Sequence, residues 1–330
     1  MANRVRMLSA VLVTFWFAQL TCALAADIPT VNWSQLSPST LPTARSYAAA
    51  AYDPVSKKIV VFGGFSSQGN LNETWTFDGT NWAKVNTSSA PPARNSASMA
   101  FDKVSGKIVL FGGYNGNYLG DTWTWDGSTS TWTNANPMHA PTAVTGPMLF
   151  TDPANGHADA YGGFDGKFYQ ATTYQWTGTD WTNLSPKTVP YARSIAVTSF
   201  DGANKTVVIF DGLGDLNPYN TWTWDGTNWT MQSPTTQPPS RYGAPGAYDP
   251  AFKAVITFAG GEGGIDISDT WAWTTSNNWV QLTPSQSPVA REGHNMVWDP
   301  LIGHVVVIGG QTGPENNPRY LNDTWVLDPH

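Results

Sequence analysis

Five arginines recur at nearly constant spacing: Arg45, Arg94, Arg193, Arg241 and Arg291, with Val144 in the one remaining slot. Successive steps are 49, 50, 49, 48 and 50 residues. A guanidinium pairs with a carboxylate or sulfate through two parallel hydrogen bonds, so a ring of them could make an electropositive funnel for an anionic ligand. Regular repetition equally fits a structural duty, with each arginine fixing the angle between neighbouring units. Two glutamates, Glu262 and Glu315, are the carboxylates available for general acid/base work beside such a clamp. Metal chemistry has little to work with: the five histidines show no ligand-pair spacing, and there is no HExxH or HxH. No glycine loop of phosphate-cradling type and no nucleophile elbow occurs, so neither a metal nor another cofactor is expected.

The elements that position these residues repeat with them. A proline precedes each slot by three residues: Pro42, Pro91, Pro141, Pro190, Pro238 and Pro288. An aspartate follows each by eight: Asp53, Asp102, Asp152, Asp201, Asp249 and Asp299. Further on stands a glycine: Gly64, Gly113, Gly163, Gly212, Gly260 and Gly310. Each unit reads as four strands, here a to d. Strand a is rich in small residues, as in SYAAAAY from Ser46, and the aspartate opens a turn. Strand b is β-branched and ends at the glycine; strand c alternates aromatics, as in TWTW from Thr122; strand d is an Asn-Trp segment. No helical periodicity appears. Six units of about fifty residues predict an all-β, six-bladed β-propeller with four-stranded blades. The sixth unit stops at His330 without a strand d, whereas NWSQL (Asn32 to Leu36) stands alone near the N-terminus. It is expected to complete the last blade and close the ring.

These residues resemble the kelch repeat: Pro-x-x-Arg, an apolar strand ending in Gly-Gly, an aromatic strand and a closing Trp, over essentially the whole chain after its leader. Exported bacterial kelch proteins look most similar. WD-repeat units are shorter and carry a Gly-His element that is missing here. The resemblance implies a propeller but no single activity, since function lives in sites placed on a fold. A copper-radical oxidase of this type needs a cysteine crosslinked to a tyrosine, and Cys22 is the sole cysteine. The iron motif of plant specifier proteins is matched by Glu262 and Asp266, but Thr270 stands where its histidine belongs.

Arg4 and Arg6 precede an apolar run from Leu8 to Leu20 and the small-residue site Ala23-Leu24-Ala25. That is a secretory signal, with cleavage expected after Ala25 and residues 26–330 forming one domain. The mature chain then has no cysteine. Its formal charge moves from −7 to −9 with the loss of Arg4 and Arg6. An acidic exported chain with no basic run is unsuited to nucleic acid or anionic membrane. A secreted or periplasmic monomer is expected, without membrane insertion after cleavage.

Symmetry breaks point to binding. The b–c loop of blade 3 carries Phe164 and Asp165, blade 4 carries Asp215 and Tyr219, and blade 6 has the longest loop, Gln311 to Asn322, with Glu315, Arg319 and Tyr320. Aromatics beside carboxylates and amides suit sugar stacking and hydroxyl hydrogen bonds. The expectation is a binding module for a glycan or an extracellular protein, met through the b–c and d–a loops. The alternative is a carbohydrate-active enzyme, a sugar-acid mutarotase, epimerase or lyase, with an arginine-lined funnel.

Overall fold

The computed structural model describes residues 31–214, 216, 219–314 and 316–329. The expected leader, Asp215, Glu315 and His330 lie outside the described residues. Among the described residues there is no helix, and so none long and apolar enough to cross a membrane. Six four-stranded antiparallel sheets follow one another along the chain as the blades of a propeller. Blade 1 is typical: strand a Ala49–Asp53, b Lys58–Phe62, c Thr74–Phe77 and d Trp82–Val85. Blade 6 takes Asn295–Asp299, His304–Thr312 and Arg319–Pro329 from the C-terminal end and Val31–Gln35 as its strand d. Trp33 pairs with Leu327 and Gln35 with Trp325 in that register. The ring closes as the orphan NWSQL segment requires.

The core lies between the blades, not within them. Buried side chains form six clusters, each shared by two adjacent blades. A flat sheet of four short strands cannot bury both faces by itself, so each blade depends on its neighbours.

The Asn-Trp segment is the clip that joins them. Each strand-d Trp donates its indole N–H to a Thr of strand c of the preceding blade. The six pairs are Trp82–Thr324, Trp132–Thr74, Trp181–Thr122, Trp229–Thr173, Trp279–Thr221 and Trp33–Thr270, at 2.8 to 3.1 Å. In five of the six blades the residue before the Trp also accepts a backbone N–H from the loop leading out of the preceding blade. Asn81 accepts from Ser39, Asp180 from His139, Asn228 from Lys187, Asn278 from Thr236 and Asn32 from Gln286. Residues 31–35 therefore clip blade 6 to blade 5 just as the internal copies do.

Two further rings are made of backbone. The glycine after strand b donates to the carbonyl of the next blade's arginine slot, from Gly64–Arg94 around to Gly310–Arg45. Its φ lies between +100° and +115° in all six blades, and a Cβ there would fall 2.6 to 3.2 Å from a carbonyl oxygen, so only glycine serves. Nearer the axis, Tyr47, Ser96, Gly146, Ile195, Gly243 and Gly293 each donate to the previous member's carbonyl and close a six-bond girdle at 2.6 to 3.0 Å. All six have φ between 45° and 62°. Gly243 and Gly293 are needed because the Tyr47 ring lies over them.

One expectation needs correction. The long b–c segment of blade 6 is mostly hairpin: Gln311 pairs with Tyr320 and Thr312 with Arg319 beyond a bulge at Ile308/Gly310. Blade 5 extends in the same way, Glu262 pairing with Ile265.

Trp33 is fully buried. Trp33→Ala leaves a large cavity at the closing seam, and we expect it to cost the whole domain about 3–5 kcal/mol. Trp33→Phe loses chiefly the bond to Thr270 and is expected to cost about 1 kcal/mol. Thermal and denaturant unfolding check both; a tail that left stability unchanged when truncated would contradict closure.

Candidate binding face

The b–c and d–a loops share one face. The five arginines lie beneath it, not on it. All are buried, at most 3% exposed. In each, Nε donates to the carbonyl two residues back and Nη1 to the carbonyl eighteen residues on, at the end of the same blade's strand b. The fork then grips the residue before the strand-c threonine: Arg94 holds Asp121, Arg241 Asp269 and Arg291 Asp323 through two bonds each, Arg45 holds Glu73, and Arg193 holds Asn220. The strand-c Trp donates to the same acceptor, as Trp325 does to Asp323 at 2.7 Å. In blade 3 the equivalent positions are Val144 and Thr172, so arginine and acid are lost together. The bonds run within a blade, whereas the structural duty expected from the repetition was to fix the angle between neighbouring units. With these partners already held, no guanidinium of the five is presented to a funnel.

The acids respond to this clamp. Burial alone would raise them, but the bonds and charge of Arg291 and Arg94 hold Asp323 and Asp121 below the usual carboxylate range. Glu73 also works against burial and is held at about 2 by bonds from Lys84, Trp75 and Arg45. Arg193, with an amide in place of an acid, is lowered by burial to about 10.

The face itself is asymmetric. The residue after each arginine slot is Ser46, Asn95, Thr145 and Ser194 in blades 1 to 4, then Tyr242 and Glu292. Glu292 is buried and accepts from Gln311 Nε2 at 2.8 Å; Gln311 in turn accepts from Ser46 Oγ. The Tyr47 hydroxyl bonds to Glu292, and burial first, then the charge of Glu292, pushes its phenol well above the ordinary value. Gly261 leaves the room that Glu292 and Tyr242 occupy. Asp266 accepts from Gly313 N–H, joining the hairpin tips of blades 5 and 6, and burial raises it. This cluster of phenols, carboxylates and an amide went unread in the sequence, although the break at Tyr242 and Glu292 was its signal.

Aromatics continue the face through blades 2 and 3. Tyr114 packs on Tyr118, Tyr118 on Phe164 and Phe164 on Tyr169, with centroids 4.8 to 5.9 Å apart. Tyr320 packs edge-on to Phe65, 6.1 Å away, across the blade 6 to blade 1 seam. Arg319 and Glu262 are exposed. Asp165 serves its own loop, accepting from the N–H groups of Lys167 and Phe168, and those bonds lower it. The Tyr219 hydroxyl donates to the Pro238 carbonyl. The described candidates thus fall into an aromatic arc (Phe164, Tyr320), a buried clamp (the five arginines) and solvent-facing charges.

Among the described residues no three His, Cys, Asp or Glu side chains converge as a metal would require. The strongest acid shift lies elsewhere. Asp159, where other blades place Val or Ile on strand b, is buried beside Asp152 and bonded to Gln175 Nε2; burial and Asp152 raise it to about 9.

The architecture and repeat chemistry define a six-bladed kelch-type β-propeller. Residues 18–212 match the profile of the KLHDC2/KLHL20/DRC7 Kelch-repeats domain, and the chain belongs to the kelch-repeat family. Comparison with the curated proteins gives no match. Kelch domains generally mediate protein–protein interactions.

Two outcomes follow from these geometries. Arg291→Ala leaves Asp323 without its clamp, and we expect a loss of about 3 kcal/mol in the unliganded protein, read by denaturant unfolding. For Asp159 the folded state holds a proton that the unfolded state releases near pH 4, so stability is full at low pH and falls as pH rises toward about 9. Asp159→Asn is expected to flatten this slope in a pH series of melting temperatures; an unchanged slope would contradict the assignment.

Proposed function

We propose that this protein is an exported binding propeller that docks an extracellular protein on its b–c and d–a face. Residues 1–25 act as a removable leader and 26–330 as the single working domain. The observation that carries the reading is the aromatic arc from Tyr114 to Tyr169, on the same loop face as the Tyr47–Glu292–Gln311 cluster, a face whose arginines are already committed. Aromatic anchors with a few oriented polar groups are what protein interfaces use at their centres. A glycan is the second reading, favoured by the same arc, because sugar rings stack on aromatic faces while hydroxyls find Glu292, Asp266 and Gln311. The mutarotase, epimerase or lyase reading drew its support from a funnel of free arginines, and these arginines hold Glu73, Asp121, Asn220, Asp269 and Asp323 instead.

The test compares the wild-type chain with Tyr114→Ser/Phe164→Ser and with Lys253→Ala on the opposite face. Each is crosslinked to the proteins outside the producing cell and, separately, presented to a glycan array. A partner lost about tenfold or more by the aromatic variant and retained by Lys253→Ala supports the protein reading. A glycan with the same dependence replaces it by the second reading. Equal capture by all three chains contradicts both.

A further inference from the structure

We propose that the axial cavity binds a small amphiphilic organic acid, its apolar body inside the channel and its carboxylate at Lys103. The cavity has a volume of about 540 Å³ and is enclosed by the six inner strands. That is a common size for a small-molecule site. Its wall is built from side chains such as Ala50, Ala100, Leu149, Ala247 and Met296. Three wall hydroxyls are already engaged: Thr151 donates to the Phe101 carbonyl, Thr198 to that of Ala196 and Ser199 to that of Phe200. The wall therefore offers dispersion and apolar burial more than hydrogen bonds.

The opening toward the a–b turns is different. The residue before each turn aspartate forms its rim: Tyr52, Phe101, Phe200, Tyr248 and Trp298, with Thr151 in the sixth position. Lys103 spans the place where Thr151 leaves a gap, its ammonium 5.7 Å from the centre of the Phe200 ring two blades away. The aspartates behind the rim are buried and engaged by their own turns or by the next blade, Asp53 accepting from Val55 N–H, Asp152 from Ala154, Asp249 from Ala251 and Asp102 from Ala158. Among the described residues Lys103 is thus the one charged side chain lining the cavity, and it has no ion pair there. An exposed cation–π contact is a weak hold, and a carboxylate offers that ammonium a stronger, charge-assisted bond. The cation selects an anion, and the wall selects what the anion is attached to. This site lies at the far end of the axis from the docking face and does not depend on that reading.

Isothermal titration of the purified full chain with decanoate, decanol and acetate tests it. We expect one saturable decanoate site per chain and no uptake of acetate. Lys103→Met should weaken decanoate about tenfold and leave decanol unchanged, and Lys103→Arg should restore most of the loss. Ser199→Phe and Asn295→Leu narrow the channel and should weaken both ligands. Lys103→Met is a surface change and decides the matter alone if a channel variant does not fold. Absence of a saturable decanoate site, or undiminished decanoate affinity in Lys103→Met, overturns the proposal.

Discussion

Every blade is held by the one before it through an indole N–H and a threonine hydroxyl. The bond recurs six times, and each copy sits at a seam where both blades bury their apolar faces. A single such bond is worth on the order of 1 kcal/mol, but it fixes the position of a tryptophan whose burial is worth several times more. The threonine hydroxyl and the indole satisfy each other where water cannot reach, so neither can be exchanged without leaving a buried polar atom. A closed ring needs six of these seams, and the sixth exists because Trp33 lies far in sequence from Thr270 and next to it in space. The chain ends meet in blade 6 for this reason.

The binding face is what this framework leaves free. Inside five of the six blades an arginine clamp, closed by an acid in four and by Asn220 in blade 4, ties the d–a loop to the ends of strands b and c, so the roots of these loops are held while their tips vary. Blade 3 gives up the clamp and carries the densest aromatics. Blades 5 and 6 replace loop with hairpin and place Tyr242 and Glu292 where the others keep small residues. Asymmetry of this kind costs little, because each seam is maintained by residues remote from the tips.

The fold was legible because the positions that define it face constraints no other residue meets. The second glycine of each pair needs a φ that only glycine adopts, and strand-d tryptophan fills a wedge that recurs with the blade. The place of NWSQL was legible for the same reason. The arginines were located but not understood. Their partners Glu73, Asp121, Asn220, Asp269 and Asp323 stand 27 to 32 residues downstream, and only the folding of strand c back beside the d–a loop brings them together. The Tyr47–Glu292 contact crosses the seam between blades 6 and 1, between residues that share no local pattern, and so could not be read from spacing. The Lys103 rim is hidden likewise, because it joins turns of blades 2 and 4.

Native-state hydrogen exchange of the axial girdle tests the central claim most directly. The amides of Tyr47, Ser96, Gly146, Ile195, Gly243 and Gly293 each donate across a different seam. If the ring is one unit closed by residues 31–35, all six exchange through the same global opening, with equal free energies and equal denaturant dependence. If Tyr47 and Gly293, which flank the closing blade, exchange much faster than Gly146 and Ile195, the ring opens at its seam and the account fails.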